Sequence, residues 1–139
     1  MKRNDPIKTI MTRDAVTVQV GEQPSRVRAL LEEERFHHLP VLDGRKLVGI
    51  VSTVDFMKAG FSAWGADART VDAVLDSQLR LADLMHSEPQ TIRDTATVRD
   101  AAHALAHGKF HSLPVVDADG KLAGIVTSTD LIRYLLEQY

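Results

Sequence analysis

The sequence predicts an α/β fold, of the α+β layout, built as two like half-domains packed about a pseudo-twofold axis. The first observation behind this is a long internal repeat, which sets the architecture before any local reading does. Arg35-Phe36-His37-His38-Leu39-Pro40-Val41-Leu42-Asp43 returns as Lys109-Phe110-His111-Ser112-Leu113-Pro114-Val115-Val116-Asp117, a shift of 110 − 36 = 74 positions. After one inserted residue the match resumes, with Gly49-Ile50-Val51-Ser52-Thr53-Val54-Asp55 answering to Gly124-Ile125-Val126-Thr127-Ser128-Thr129-Asp130. The second observation is that both copies pass through the same order of hydrophobic periods, helical and then extended. The third is an Asp-Gly dipeptide at the same point of each copy, where a hairpin turn belongs.

Each repeat opens on a helical turn or two. Ile7, Ile10 and Met11 fall at i, i+3 and i+4, as do Leu81, Leu84 and Met85. β-rich stretches follow at residues 16–20 and 90–92. An amphipathic helix comes next. In repeat two Val98, Ala101, Ala102 and Leu105 form its stripe, Thr97 takes the N-cap with Asp100 three residues on, and Gly108 stands at the C-terminal end. In repeat one Pro24 occupies the first helical position, where a missing N–H costs nothing, and Val27, Leu30 and Leu31 form the stripe. Glu32-Glu33-Glu34 reads as a solvated face.

A β-hairpin then closes each unit, with strands over residues 39–42 and 46–51, then 113–116 and 121–126. The turns carry Asp43-Gly44 and Asp119-Gly120, a dipeptide favoured where φ is positive at both central positions. A last helix starts near Ser52 and near Thr127, the second with Leu131, Ile132, Leu135, Leu136 and Tyr139 along one side. Each unit therefore reads helix–β–α–β–β–α. The expected organisation is repeat one over residues 1–60, a linker over 61–79 with a short helix near Val71, Val74 and Leu75, and repeat two over 80–139. A half of about 60 residues buries little core by itself, so the halves are expected to share one core.

Composition narrows the function classes. The chain has 139 residues, 44% of them apolar and 26% charged, as in an ordinary soluble protein. Its net charge of −2 supplies no general pull on nucleic acid or anionic lipid. There are no cysteines, which removes disulfides, thiolate nucleophiles and cysteine-ligated metals. No apolar run reaches the ~18 residues of a membrane span, and the N-terminal charges lead into no signal-like segment. The expectation is a soluble, cytoplasmic chain.

Gly-Ile-Val-Ser/Thr-x-x-Asp after a Leu-Pro-Val-x-Asp strand, present twice in register, resembles a tandem pair of cystathionine-β-synthase (CBS) domains, a Bateman module. The resemblance covers nearly everything from Pro6 to Tyr139 apart from the linker. It implies two packed α/β halves, frequent homodimerisation, and adenosine compounds bound in clefts between the repeats to regulate an effector protein. The ligand would be an adenine nucleotide, with Mg2+ admitted as its companion ion and no other cofactor required.

The same resemblance assigns roles residue by residue. Asp55 and Asp130 would hold ribose, and Ser52, Thr53, Thr127 and Ser128 would lie by the phosphates. The chemistry is sound: a carboxylate can accept both hydroxyls of a diol, and a helix start gathers unpaired N–H groups that suit an anion. The competing reading of Ser/Thr-x-x-Asp is a capping box, and the two can coexist. His37, His38, Lys109 and His111 would reach phosphate, against a reading as C-terminal helix cations. A histidine there strengthens anion binding as pH falls through its pKa, about 6.5 when unperturbed. Thr17, Val18, Val20, Thr91 and Ile92, with Ile50 and Ile125, would line an adenine slot, against a reading as ordinary core strand.

Three further features are read as structural. His103, His107 and His111 recur every four residues, but Gly108 interrupts them and no HExxH accompanies them, so no metal site is expected. Phe61 and Trp64 form the linker's aromatic pair, read as core packing or as a dimer contact. GxxxxGK[ST] is absent, which argues against a P-loop enzyme. The leading expectation is a non-enzymatic nucleotide-sensing module; the alternative is a structural homodimerisation module with empty clefts.

Overall fold

The computed structural model describes residues 5–33, 37–58, 68–108 and 110–139. Arg35, Phe36, Phe61, Trp64 and Lys109, singled out above, lie outside the described residues. The fold is mixed α and β. The chain divides into two compact units, one of Val16–Pro89 and one of Met1–Ala15 with Gln90–Tyr139. They are called here the repeat-one unit and the repeat-two unit.

In the repeat-one unit β1 (Val18–Gln19) leads to α1 (Pro24–Glu33), the hairpin β2 (His38–Asp43) and β3 (Lys46–Ser52), and α2 (Thr53–Lys58). Then come α3 (Ala68–Gln78), α4 (Leu81–Leu84) and β4 (His86–Ser87). The sheet order is β1-β2-β3-β4, with β1 parallel to β2 and the other pairs antiparallel. Pro24 does begin α1, whose Pro24, Val27 and Leu31 face inward. Helix α3 is fastened to α1 by more than its buried Val71 and Leu75. The Arg28 guanidinium donates to Asp72 Oδ1 at 2.5 and 3.1 Å, and Asp76 accepts both the Ser25 amide (2.9 Å) and the Ser25 hydroxyl (2.5 Å). Asp76 thus caps the first turn of α1 from another helix.

The repeat-two unit starts with a 3-10 turn, Ile7–Thr9, and continues through β5 (Ile92–Arg93), α5 (Val98–His107), β6 (Ser112–Val116), β7 (Leu122–Thr127) and α6 (Ser128–Glu137). Its sheet order is β5-β6-β7. A bridge from Thr12 to Ile125 stands where β4 stands in the other unit, since 12 + 74 = 86 and His86 pairs with Ile50. The capping box at the start of α5 forms as the sequence predicts: Thr97 Oγ1 accepts from Asp100 N (3.1 Å) and Asp100 Oδ2 accepts from Thr97 N (2.9 Å).

Among the described residues, buried side chains gather in a cluster within each unit. One holds Val18, Val27, Leu39, Val51, Leu75, Leu81 and Leu84; the other holds Ile7, Met11, Ala101, Leu105, Leu113 and Val126. The opening turn of each repeat therefore packs into the other repeat's unit. Ile7 is 0% and Leu81 1% exposed, and each such side chain is worth about 1.5–3 kcal/mol. By this exchange each small unit gains the apolar surface that a half-length chain lacks.

Three local expectations are corrected. Positive φ falls on Gly44 (65°) and Gly120 (80°), with neither Asp43 nor Asp119 joining them, so the hairpins are not the doubly positive type. Gly108 does cap the C-terminus of α5, but in extended backbone and not in a left-handed turn, with the Phe110 ring against it. Ala102 is exposed, and on α6 the buried side chain is Tyr134, while Ile132 (60%) and Leu136 (68%) face outward. The residue inserted between the repeats falls in the β6–β7 loop, where Asp117 Oδ1 accepts from Asp119 N (2.9 Å) and Lys121 N (3.0 Å).

Candidate functional site

The hairpin of each unit delivers a hydroxyl residue directly to a helix start. In the repeat-two unit β7 ends at Thr127, the N-cap of α6. Thr127 Oγ1 accepts from Asp130 N at 3.1 Å, and Asp130 Oδ2 accepts from Thr127 N at 2.8 Å. The capping box is therefore real, and it leaves Asp130 Oδ1 beside Arg133, whose Nη1 is 3.8 Å away. The Asp130 side chain is 11% exposed, so the carboxylate is held at an edge and not loose in solvent.

Register brings the neighbouring candidates together. Ser112 lies opposite Thr127 across the β6–β7 ladder. The His111 carbonyl accepts from Ser128 N (2.9 Å) and from Ser128 Oγ (3.3 Å), which sets the exposed His111 at the start of α6. Thr127, Ser128, Asp130 and His111 thus form one corner.

The repeat-one unit has the matching corner with different chemistry. Asp55 Oδ2 accepts from Ser52 N (2.7 Å) and from Ser52 Oγ (3.1 Å). Ser52 is 9% exposed, and its hydroxyl donates to Asp55 Oδ2 while accepting from Asp55 N at 3.3 Å; the Thr127 hydroxyl accepts from the Asp130 amide at 3.1 Å. His38 starts β2 opposite Ser52, and Thr53 and His37 are exposed nearby in sequence.

The residues expected to meet adenine are divided. Val18 is 2% exposed and sits in the repeat-one core. Val20 and Ile92 are half-buried and pack against their units' cores. Thr17, Thr91, Ile50 and Ile125 are half-buried. Ile50 and Ile125 adjoin the buried Val51 and Val126, and strand alternation turns them to the opposite face. Among the described residues no group of three metal-binding side chains gathers. His103 and His107 stack with ring centroids 4.5 Å apart, and His107 Nδ1 meets the His103 carbonyl at 2.8 Å.

Sequence reasoning missed what holds this corner from behind. Met11 and Met85 lie over Gly124 and Gly49 of the repeated Gly-Ile-Val, and the Tyr134 hydroxyl donates to Asp5 Oδ2. The repeat carried part of that signal, because 11 + 74 = 85 and 49 + 75 = 124. Nothing local in the sequence linked Asp5 to Tyr134.

A CBS domain signature matches residues 7–62 and 81–137. The chain belongs to the CBS domain family. Among its CBS relatives, CBSX2, a chloroplastic protein of Arabidopsis thaliana, is 34% identical over 126 residues, 78% of this chain and 53% of its own length. MJ1225 of Methanocaldococcus jannaschii is 27% identical over 132 residues, 94% of this chain and 47% of its own length. The chain thus spans about half the length of these two curated relatives. The crystal structure of CBSX2 in complex with AMP aligns at a TM-score of 0.79 with 31% identity, covering 96% of this chain and 97% of that one. The MJ1225 structure aligns at 0.81 with 27% identity, covering 97% and 49%. The cytosolic domain of the Mg2+ channel MgtE in complex with ATP aligns at 0.71 with 26% identity, covering 94% and 48%. Among the described residues no helix is long and apolar enough to cross a membrane.

Proposed function

We propose that this CBS pair is a regulatory, non-catalytic module that binds an adenosine nucleotide and passes its occupancy to an effector protein in the cytoplasm. The observation that carries the reading is the corner of Thr127, Ser128, Asp130 and His111, in a chain 31% identical across 96% of its length to a protein whose structure holds AMP. The MgtE domain with ATP supports the same ligand class. Asp130 Oδ1 would take ribose hydroxyls, while the Thr127 and Ser128 hydroxyls and His111 would face phosphate. Asp55, Ser52, Thr53, His37 and His38 would do so in the repeat-one unit, and Mg2+ would accompany the longer phosphate chains.

Thermal melts with AMP, ADP, ATP, S-adenosylmethionine and NAD test this. A ligand that binds only the folded chain adds about 2.7 kcal/mol at 100 times its dissociation constant. The absence of any shift, in protein verified free of carried-over nucleotide, defeats the reading.

One observation favours a second role. Helix α6 exposes Ile132 (60%), Leu135 (40%) and Leu136 (68%), and α2 exposes Met57 (69%) at the position equivalent to Ile132, since 57 + 75 = 132. These faces support homodimerisation, with nucleotide unnecessary for it. Light scattering of the parent chain and of Leu136→Glu distinguishes the two, because only self-association responds to that substitution.

A further inference from the structure

We propose that residues 5–12 are the element through which occupancy of the Thr127–Asp130 corner is read out, an inference that rests on the nucleotide-binding function proposed above. This segment opens repeat one in sequence, yet it is fixed to both structural parts that build the repeat-two corner.

Its far end grips the strand that delivers Thr127. Thr12 N donates to the Ile125 carbonyl at 2.8 Å and accepts at its own carbonyl from Ile125 N at 2.9 Å, two residues before Thr127. Met11 lies against Gly124 one position earlier. Its near end grips the helix that carries Asp130. The Tyr134 hydroxyl donates to the Asp5 carboxylate, and Tyr134 follows Asp130 by four residues, on the same face of α6. Between these grips the segment is laced to the turn before α5: Ile7 N donates to Ala96 O (2.9 Å), Val98 N to Asp5 O (2.8 Å), and Lys8 pairs with Asp94 at 3.9 Å.

A ligand that draws the Thr127 hydroxyl and the Asp130 carboxylate toward itself loads β7 and α6 together. Residues 5–12 are bonded to both, so their docking free energy differs between the empty and the loaded corner. A ligand acts on such an element only through that difference. Asp5 and Tyr134 are on this account positioning residues and touch no ligand.

The experiment is hydrogen exchange on the full chain with and without AMP, in protein freed of carried-over nucleotide. AMP is expected to slow exchange at Ile7 and Thr12, as well as at residues 127–130, by about five-fold or more. Tyr134→Phe keeps the buried ring and removes only the hydroxyl. It should retain the AMP effect at 127–130 and lose it at Ile7. Asp5→Asn, with Tyr134 unchanged, keeps an acceptor for the phenol and should retain most of the response at Ile7. Slowing confined to 127–130 in the parent chain, or an unchanged response at Ile7 in Tyr134→Phe, overturns the readout while nucleotide binding stands. No slowing anywhere with AMP removes the binding function, and the readout falls with it.

Discussion

Thr12 and Ile125, separated by 125 − 12 = 113 positions, exchange both of their backbone hydrogen bonds, at 2.8 and 2.9 Å. That single bridge brings the Thr12 carbonyl so close to β7 that the adjoining residue, Gly124, has no room for a side chain. A Cβ there would lie 2.7 Å from the Thr12 carbonyl oxygen and 3.0 Å from Met11 Sδ. The glycine of the repeated Gly-Ile-Val is thus a seat for the exchanged segment.

Gly124→Ala should accordingly destabilise the chain by about 1–3 kcal/mol, the usual cost of overpacking. Gly49→Ala should cost less. Its nearest obstacle is Met85 Sδ at 2.6 Å, a side chain that can turn aside, although the His86 carbonyl stands at 3.0 Å. Urea denaturation of the two variants checks the order; equal losses would mean that the Thr12 backbone yields as readily as a methionine.

Asp130→Ala should remove the nucleotide-induced thermal shift and, with no nucleotide present, cost about 1 kcal/mol through the lost cap. Asp55→Ala should cost a similar cap but leave more of the shift, because Asp55 Oδ2 already accepts both the amide and the hydroxyl of Ser52. Calorimetric titration with AMP on each variant measures binding, and melts without ligand measure the cap.

The α1–α3 contact should behave as a coupled polar unit. Asp76→Ala leaves the Ser25 amide and hydroxyl without their partner and should cost about 1–2 kcal/mol. Arg28→Ala and Asp72→Ala together should cost less than the sum of the two alone, because both report the same bond. A double-mutant cycle by chemical denaturation gives the coupling, and strict additivity would show the contact to be idle.

Acid and alkali should act on different groups of the repeat-two unit. The Lys121 and Asp119 amides hold the Asp117 carboxyl below the usual range, and the Thr97 backbone and hydroxyl do the same for Asp100. A lowered folded pKa gives stability that is complete above the unfolded value, about 3.9, and lost as pH falls through the folded one. The parent chain should therefore lose ground to Asp117→Asn below about pH 4. Tyr134 runs the other way. Its hydrogen bond to Asp5, with burial, raises its pKa, so its contribution is complete below the ordinary tyrosine value of about 10 and lost as pH rises through the raised one. Melts of Tyr134→Phe across pH 7–11 should lack that alkaline loss.

The linear sequence determined whatever depends on local chemistry. Repetition identified two like units, periodicity laid out their helices and strands, and Thr97-x-x-Asp100 and Thr127-x-x-Asp130 announced caps that do form. Pro24 marked a helix start for the same reason, since one ring fixes one φ. Only the tertiary structure decided which opening turn serves which core, why Gly124 has no room for a side chain beside the Thr12 carbonyl, and that Tyr134 rather than Leu135 turns inward on α6. These depend on contacts between segments as far apart as Asp5 and Tyr134. An apolar period of three or four residues says that a face is buried, but it carries no information about the surface that covers it.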